Sequence, residues 1–195
     1  FLTSVSSWSD TLISKDYDGE FDINYTTAVG GFRFHQGASN NSDYYYYDTS
    51  YSISPNIWYH LVYTREGSGT NWTIKVYING VLIDTPSVTT LLGGGIDNTP
   101  PQTTSNILIG AMNHNGSAGA TWQGQMSDVR IYNSALTAEQ VKDIYFNQTI
   151  LGTEVAHYKF NEKMGTTAFD SSGNGYDGTL TGGPTYYLSN PYRNY

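Results

Sequence analysis

The chain of 195 residues contains no cysteine, so no disulfide pattern reports the compartment in which it works. Charged residues are scarce, at 13 % of the chain, and 17 acidic side chains outnumber 9 basic ones. The net charge of −8 argues against nucleic acid as a partner, because phosphate binding needs clustered lysine and arginine. No run of about 18 apolar residues is present, so we expect no membrane span. A signal peptide is also lacking, and the chain begins with Phe1, which indicates a processed chain or part of a longer one.

Aromatic residues and glycine are abundant. Aromatics make up 15 % of the chain, with 18 tyrosines and 4 tryptophans, and there are 21 glycines. This composition favours an all-β domain with many turns. The length suffices for one large sandwich with a sizeable core, and no internal repeat is visible.

Local patterns support that fold class. The stretch Glu20–Tyr25 alternates polar and apolar residues, which predicts a half-buried strand. The stretch 57–65 is apolar on both faces, as in a central strand. Asn79-Gly80 joins two strand patterns and predicts a tight hairpin. Thr137-Ala138-Glu139-Gln140 fits a capping box, which predicts one short helix near 137–146.

Three longer stretches carry a family resemblance: Trp58–Arg65 with Val76–Gly80, then Trp122–Val141, then Glu154–Phe160 continuing through 170–180. They resemble, in turn, the central hairpin, the closing strand with its helix, and the opening strand with its loop in laminin-G-like domains. These domains belong to the concanavalin A-like jelly-roll group. The resemblance implies a two-sheet antiparallel jelly-roll sandwich. It does not specify a function, because the family spans adhesion modules, lectin-like binders and accessory domains of enzymes.

The segment that resembles the family's opening strand comes last in this chain. Residues 1–153 therefore read as a sandwich body without its opening strand, and residues 154–195 as the displaced strand and tail. Three interpretations follow: the strand completes the sandwich of a neighbouring subunit, it completes its own sandwich, or it starts a further domain. We favour the first, because an unpaired sheet edge is a template for another strand. The residues expected to form this assembly strand are Val155, Ala156, Tyr158, Phe160 and Leu180.

Two classes of function stay open, and both place the protein outside the cell or on its surface. The first is a non-catalytic structural subunit that binds copies of itself head-to-tail in a fibre. The second is a glycan- or protein-binding adhesion module of a surface protein. A glycosidase is a distant third, because Glu20 and Asp22 share a strand face with Asn24, which cannot donate a proton. We expect no catalysis and no required cofactor.

Two further groups are candidate ligand sites. The run Tyr44, Tyr45, Tyr46 and Tyr47 could form an aromatic platform for sugars, although alternation would turn half of these rings into the core. Asp170, Asn174 and Asp177 place three oxygen ligands in one glycine-rich loop, which is compatible with structural calcium. The same residues are also those that tight turns require.

Five Asn-x-Ser/Thr motifs are acceptors for N-linked glycans: Asn24, Asn40, Asn71, Asn115 and Asn147. The last four fall in predicted loops or at the ends of elements. We expect Asn71 and Asn115 to be occupied, because both lie in polar stretches between strands.

Overall fold

The computed structural model describes residues 10–15, 20–37, 44–68, 71–85, 90–92, 104–114 and 117–186, and the statements below refer to these. The first eight strands are β1 (Asp10–Lys15), β2 (Phe21–Thr26), β3 (Gly31–Gly37), β4 (Tyr44–Thr49), β5 (Leu61–Ser68), β6 (Asn71–Ile78), β7 (Val81–Asp84) and β8 (Thr90–Leu92). The remaining elements are β9 (Leu108–Ile109), β10 (Met112–His114), β11 (Ser117–Gly119), β12 (Val129–Tyr132), α1 (Ala138–Asn147), β13 (Glu154–Tyr158), β14 (Thr167–Ala168) and β15 (Gly178–Thr179).

One layer is a six-stranded antiparallel sheet with the order β8-β4-β3-β2-β1-β9. Its inner face carries the aromatic side chains that alternation predicts. Phe34 lies opposite Ile23 on one side and Tyr47 on the other. Phe34 and Tyr47 are buried at 7 % and 1 % exposure, so this face forms half of the core.

The facing layer contains the three-stranded sheet β5-β6-β7 and, separately, the pair β12-β13. Ile74 and Val76 of β6 pack against Phe34 and Tyr47, which closes the sandwich. The Asn79-Gly80 hairpin is confirmed, since both residues adopt positive φ, 51° and 76°. Burial of these aliphatic and aromatic side chains stabilises the sandwich by about 1.5–3 kcal/mol for each fully buried one.

Helix α1 lies on the outer side of the β5-β6-β7 sheet. Its Val141 and Ile144 pack against Tyr77, which points away from the core face of β6. The predicted capping box is present: Gln140 N–H donates to Thr137 Oγ1 at 3.2 Å, and Thr137 N–H donates to Gln140 Oε1 at 2.8 Å. The molecule is thus an all-β two-sheet sandwich with one short helix outside, and the predicted fold class is confirmed.

Two boundaries differ from the sequence prediction. The strand expected over 57–65 begins only at Leu61. The alternation expected to run from Ala156 to Phe160 ends at Tyr158, because Phe160 has a φ of 53°. Apolar periodicity shows which residues are buried, but it does not show where backbone pairing begins.

The displaced C-terminal strand pairs within its own chain. β13 runs antiparallel to β12, with Val129 opposite Tyr158 and Ile131 opposite Ala156. This is the pairing that self-completion predicts. The structure contains one copy of the chain, so donation to a neighbour stays a prediction.

Candidate functional site

The acidic residues on the outer face of β2 are engaged by neighbouring side chains. Glu20 forms an ion pair with Lys15 at 2.8 Å. Asp22 Oδ1 lies 2.9 Å from Nδ1 of His35, with both side chains fully buried. Asn24 Nδ2 donates to Asp22 Oδ2 at 2.5 Å. A buried carboxylate held in this way is stabilised as the anion, so it is poorly suited to donate a proton.

The same face continues across β3 and β4. Arg33, which is in register with Asn24 and with Asp48, makes two hydrogen bonds to the Asp48 carboxylate, at 2.7 and 2.8 Å. A planar guanidinium on a carboxylate is a strong and directional pair. The face therefore presents paired charges.

The tyrosine run contributes its backbone to β4, and one of its rings is placed. Tyr47 is 1 % exposed, and its ring lies 5.9 Å from that of Phe34, so it belongs to the core. The side chains of Tyr44, Tyr45 and Tyr46 lie outside the described residues. The sugar platform therefore stays a prediction for those three rings.

A charged cluster crosses the seam between β12 and β13. Asp128 Oδ1 lies 2.6 Å from His157 Nε2, and Arg130 donates to both Asp128 oxygens, at 3.1 and 3.0 Å. Arg130 also donates to the Thr149 carbonyl at 2.6 Å. Burial alone would raise the pKa of Asp128, but hydrogen bonds from His157 and Arg130 outweigh it and lower the pKa to about 2. This cluster holds the C-terminal strand to the body of its own chain.

The loop after β13 is organised by Asp170. Its Oδ1 accepts from the backbone N–H of His157 and of Ser172, both at 2.9 Å. Its Oδ2 accepts from Ser172 Oγ at 2.8 Å and from Tyr176 N–H at 3.0 Å. Burial would raise the pKa of Asp170, but these hydrogen bonds lower it to about 2.

The two other candidate calcium ligands also make loop contacts. Asn174 Nδ2 donates to the carbonyls of Glu154 and Val155, at 3.1 and 3.0 Å. Asp177 Oδ1 accepts from the N–H of Asp170 at 2.8 Å. Within the described part of the chain, no group of three His, Cys, Asp or Glu residues could hold a metal. These contacts are those of a tight turn, and calcium stays a prediction.

The residues assigned to the assembly strand are only partly buried. Ala156 is 4 % exposed, whereas Val155, Tyr158, Phe160 and Leu180 are half-buried. The rings of Tyr158 and Phe160 stack with centroids 6.0 Å apart, and Tyr158 Oη donates to the Tyr176 carbonyl at 2.6 Å. Leu180 N–H donates to the Thr166 carbonyl at 2.8 Å.

The glycan acceptors differ in accessibility. Asn24 is 5 % exposed within a central strand, so a glycan on it has no room in this fold. Asn147 is exposed at the end of α1. Asn40, Asn115 and the side chain of Asn71 lie outside the described residues.

A cavity of about 690 Å³ lies in the layer of the sandwich that contains β5 and β12. Its lining includes the consecutive residues 58–65, which lead into and form part of β5, and 125–136, which include all of β12. Ile23 and Phe34 from the opposite sheet and Ile144 and Tyr145 from α1 complete it. Its volume is in the range of ligand-binding sites.

These features define a jelly-roll sandwich of the lectin-like kind, with its helix outside and its acidic face in ion pairs. The chain belongs to the laminin G-like family of the concanavalin A-like lectin/glucanases superfamily, whose family model matches residues 2–142. Domains of this family are generally non-catalytic, fit a binding or adhesion role and are commonly extracellular. Neither the curated proteins nor the solved structures yield a significant match. Among the helices that the structure describes, none is long and apolar enough to cross a membrane.

Sequence reasoning missed the Asp128–His157 contact and the cavity. His157 falls on the polar side of the alternation in 154–160, yet it is 1 % exposed. Its partner Asp128 is distant in sequence, so no local pattern joins them. The apolar residues on both faces of 58–65 are the one signal that could have pointed to the cavity.

Proposed function

We propose that this chain is a non-catalytic, extracellular adhesion module that binds glycans or proteins. The observation that carries the proposal is the state of the β2 face, where Glu20 and Asp22 are each held by a basic side chain. A glycosidase on this scaffold would need one carboxyl group to donate a proton and a second to act as nucleophile or base. The family's general binding role supports the same conclusion.

Hydrolysis and binding assays together test this proposal. We expect no turnover of β-glucans by the native chain, and no change with Glu20→Gln or Asp22→Asn. We expect the chain to bind at least one member of a glycan array or one purified surface protein. Turnover that either substitution abolishes would overturn the non-catalytic assignment. Absence of any binding partner in both screens would count against the adhesion role.

Location outside the cell is tested through glycans. Expression through a eukaryotic secretory pathway should yield a glycan on Asn147, which is exposed, and none on Asn24, which is buried. Asn71 and Asn115 are the further sites that we expect to be occupied. Glycopeptide mass spectrometry reads each site separately, and an unmodified Asn147 in secreted material would contradict the assignment.

A head-to-tail fibre is the second candidate function, and the seam between β12 and β13 favours it. β13 pairs only with β12 among the described strands, and it follows a short linker after α1. The same pairing can form between two chains if β13 leaves its own β12 and pairs with that of a neighbour. A donor and an acceptor on different surfaces propagate as a ring or a filament.

The fibre is tested by disrupting the stacked rings. Tyr158→Asp with Phe160→Asp should shorten any assembly, because each ring contributes about 1.5–3 kcal/mol when it is fully buried. The matched control is Phe146→Asp with Phe169→Asp, two exposed aromatics at 71 % and 56 % exposure. Light scattering and negative-stain images measure particle size. A monodisperse native monomer at high concentration would exclude the fibre and leave the adhesion module standing.

A further inference from the structure

The gap between β5 and β12 has the boundaries of a missing strand. β5 pairs with β6 on one side, and β12 pairs with β13 on one side. The described residues give neither strand a second partner. The cavity lies along the remaining sides, because it is lined by consecutive residues of both strands and by no residue of β13. We call this cavity the inter-strand slot.

The lining shows that the slot passes through the layer rather than resting on one face. On β5, Leu61 and Tyr63 pack toward the core, whereas Val62 packs toward α1. All three line the slot. Side chains of alternate residues point to opposite faces of a strand, so a cavity that touches all of them follows the strand edge. Such an edge carries backbone N–H and C=O groups without ladder partners.

The slot is apolar above and below. Its inner boundary is the six-stranded sheet, through Ile23 and Phe34, and its outer boundary is α1, through Ile144 and Tyr145. A strand placed between β5 and β12 would therefore be covered on both faces. Strands buried on both faces are continuous apolar runs rather than alternating ones. This excludes β13 as a suitable occupant, because Glu154 and His157 would meet apolar surfaces.

Polar atoms along the slot lack partners. Within the described part of the chain, Tyr63 Oη, His60 Nδ1 and Trp122 Nε1 are buried without a hydrogen-bond partner, and all three residues line the slot. Burial raises the pKa of Tyr63 and lowers that of His60, so both groups stay neutral near pH 7. Buried polar groups are almost always satisfied, so three unsatisfied ones in one cavity point to an absent ligand.

Charge distinguishes one end of the slot. Arg65 is the last residue of β5 along the lining, and burial lowers its pKa to about 10. An anion beside a partly buried guanidinium is favourable because it offsets the loss of hydration. A peptide that enters the slot is thus expected to carry an acidic residue at the Arg65 end.

We propose that the inter-strand slot binds one extended segment of a partner protein, apolar on both faces and acidic at the end next to Arg65. The segment pairs with β5 on one side and with β12 on the other, and it joins the two halves of the outer layer into one sheet. Backbone hydrogen bonds supply affinity, and the two apolar surfaces select the side chains. This inference rests on the proposed binding function and names one site and one class of partner for it.

The probe for this site is a set of synthetic peptides fused to a soluble carrier protein. Each peptide has six central residues chosen from Val, Ile, Leu and Phe, with Glu at the first, the last or neither end. Hydrogen exchange of the full chain measures protection at 61–65 and 129–132. We expect at least one peptide to protect both segments together, and Glu at one end to strengthen binding at least fivefold over its absence.

Two variants localise the effect. Ala135→Phe narrows the slot that Ala135 lines and should weaken binding at least tenfold, whereas Ala138→Phe, on the exposed start of α1, should not change it. Arg65→Met should remove the preference for Glu while the uncharged peptide still binds. Circular dichroism confirms that each variant is folded before binding is measured.

Three results would overturn the proposal. The first is the absence of paired protection with every peptide. The second is protection of both segments in the free chain at all concentrations, which means that the chain fills its own slot. The third is protection that disappears on dilution, which identifies a second copy as the occupant. None of these results affects glycan binding, which the array measures separately, so failure of the slot and failure of the adhesion role are distinguishable.

Discussion

Asp128 and His157 meet across the seam between β12 and β13, with 2.6 Å between Oδ1 and Nε2. Asp128 adopts a left-handed φ of 56°, which turns its carboxylate toward both Arg130 and His157. The contact ties the last strand of the chain to the strand that precedes the helix. It makes the attachment of the C-terminal segment sensitive to a single carboxylate.

Replacing that carboxylate should weaken the fold. Asp128→Asn keeps the shape and tolerates positive φ, but it leaves Arg130 and His157 buried without an anion, at 7 % and 2 % side-chain exposure. We expect the free energy of unfolding in urea to fall by about 2–4 kcal/mol. The control Glu66→Gln breaks the exposed pair with Lys75 and should cost at most about 1 kcal/mol. Equal effects of the two substitutions would show that the seam is not held by charge.

Stability should fall in acid over a defined window. The pKa of Asp128 and of Asp170 is lowered from 3.8 to about 2 in the folded chain. A lowered pKa contributes stability above pH 3.8, and this contribution is lost as the pH falls toward 2. Urea midpoints measured between pH 6 and pH 2 should therefore drop most steeply below pH 4. Asp128→Asn should show a shallower drop than the native chain, and an identical profile would contradict the assignment.

Gly31 should be far less replaceable than its neighbour Gly30. A Cβ at Gly31 would lie 2.0 Å from the Thr49 carbonyl oxygen and 2.7 Å from the Tyr51 nitrogen, so the backbone itself must move. Gly31→Ala should lower the free energy of unfolding by about 3 kcal/mol or more. Gly30→Ala meets nothing within 4 Å and carries only the strain of φ 64°, about 1–2 kcal/mol. Chemical denaturation of both variants measures the difference, and similar losses would mean that Gly31 has room.

Calcium and turn chemistry make opposite predictions for the Asp170 loop. If the loop binds calcium, saturating calcium at about a hundred times the dissociation constant should add about 2.7 kcal/mol of stability. If the four hydrogen bonds to Asp170 are its whole role, neither calcium nor a chelator should move the thermal midpoint. We expect no movement, because these bonds already engage both carboxylate oxygens. Asp170→Asn should destabilise the chain equally with and without calcium, and a calcium-dependent difference would establish the metal site.

Features set by adjacent residues could be predicted from the sequence. Asn79-Gly80 forms the expected turn because both positions require positive φ, and Thr137 caps α1 because Gln140 stands three residues later. The resemblance of three separated stretches then supplied the architecture. Each of these signals is local or depends on residue type alone.

Features set by distant residues could not be predicted. The burial of His157 depends on Asp128, 29 positions away. The slot depends on which strands fail to pair, and no periodicity records a missing partner. Whether the last strand acts within its chain depends on concentration as much as on sequence, because one pairing can form in both ways.

The pairing of β1 with β9 has a consequence for how the chain folds. Ile13 lies opposite Ile109, so a loop of most of the chain closes before this contact forms, whereas β2–β3 and β5–β6 join strands that are close in sequence. Closing long loops costs entropy before contacts compensate, which slows non-local pairing. We expect the hairpins to form first and β9 to join last. Pulse-labelled hydrogen exchange should show late protection of β9 amides, and in that interval the outer edge of β1 is open to other unfolded chains.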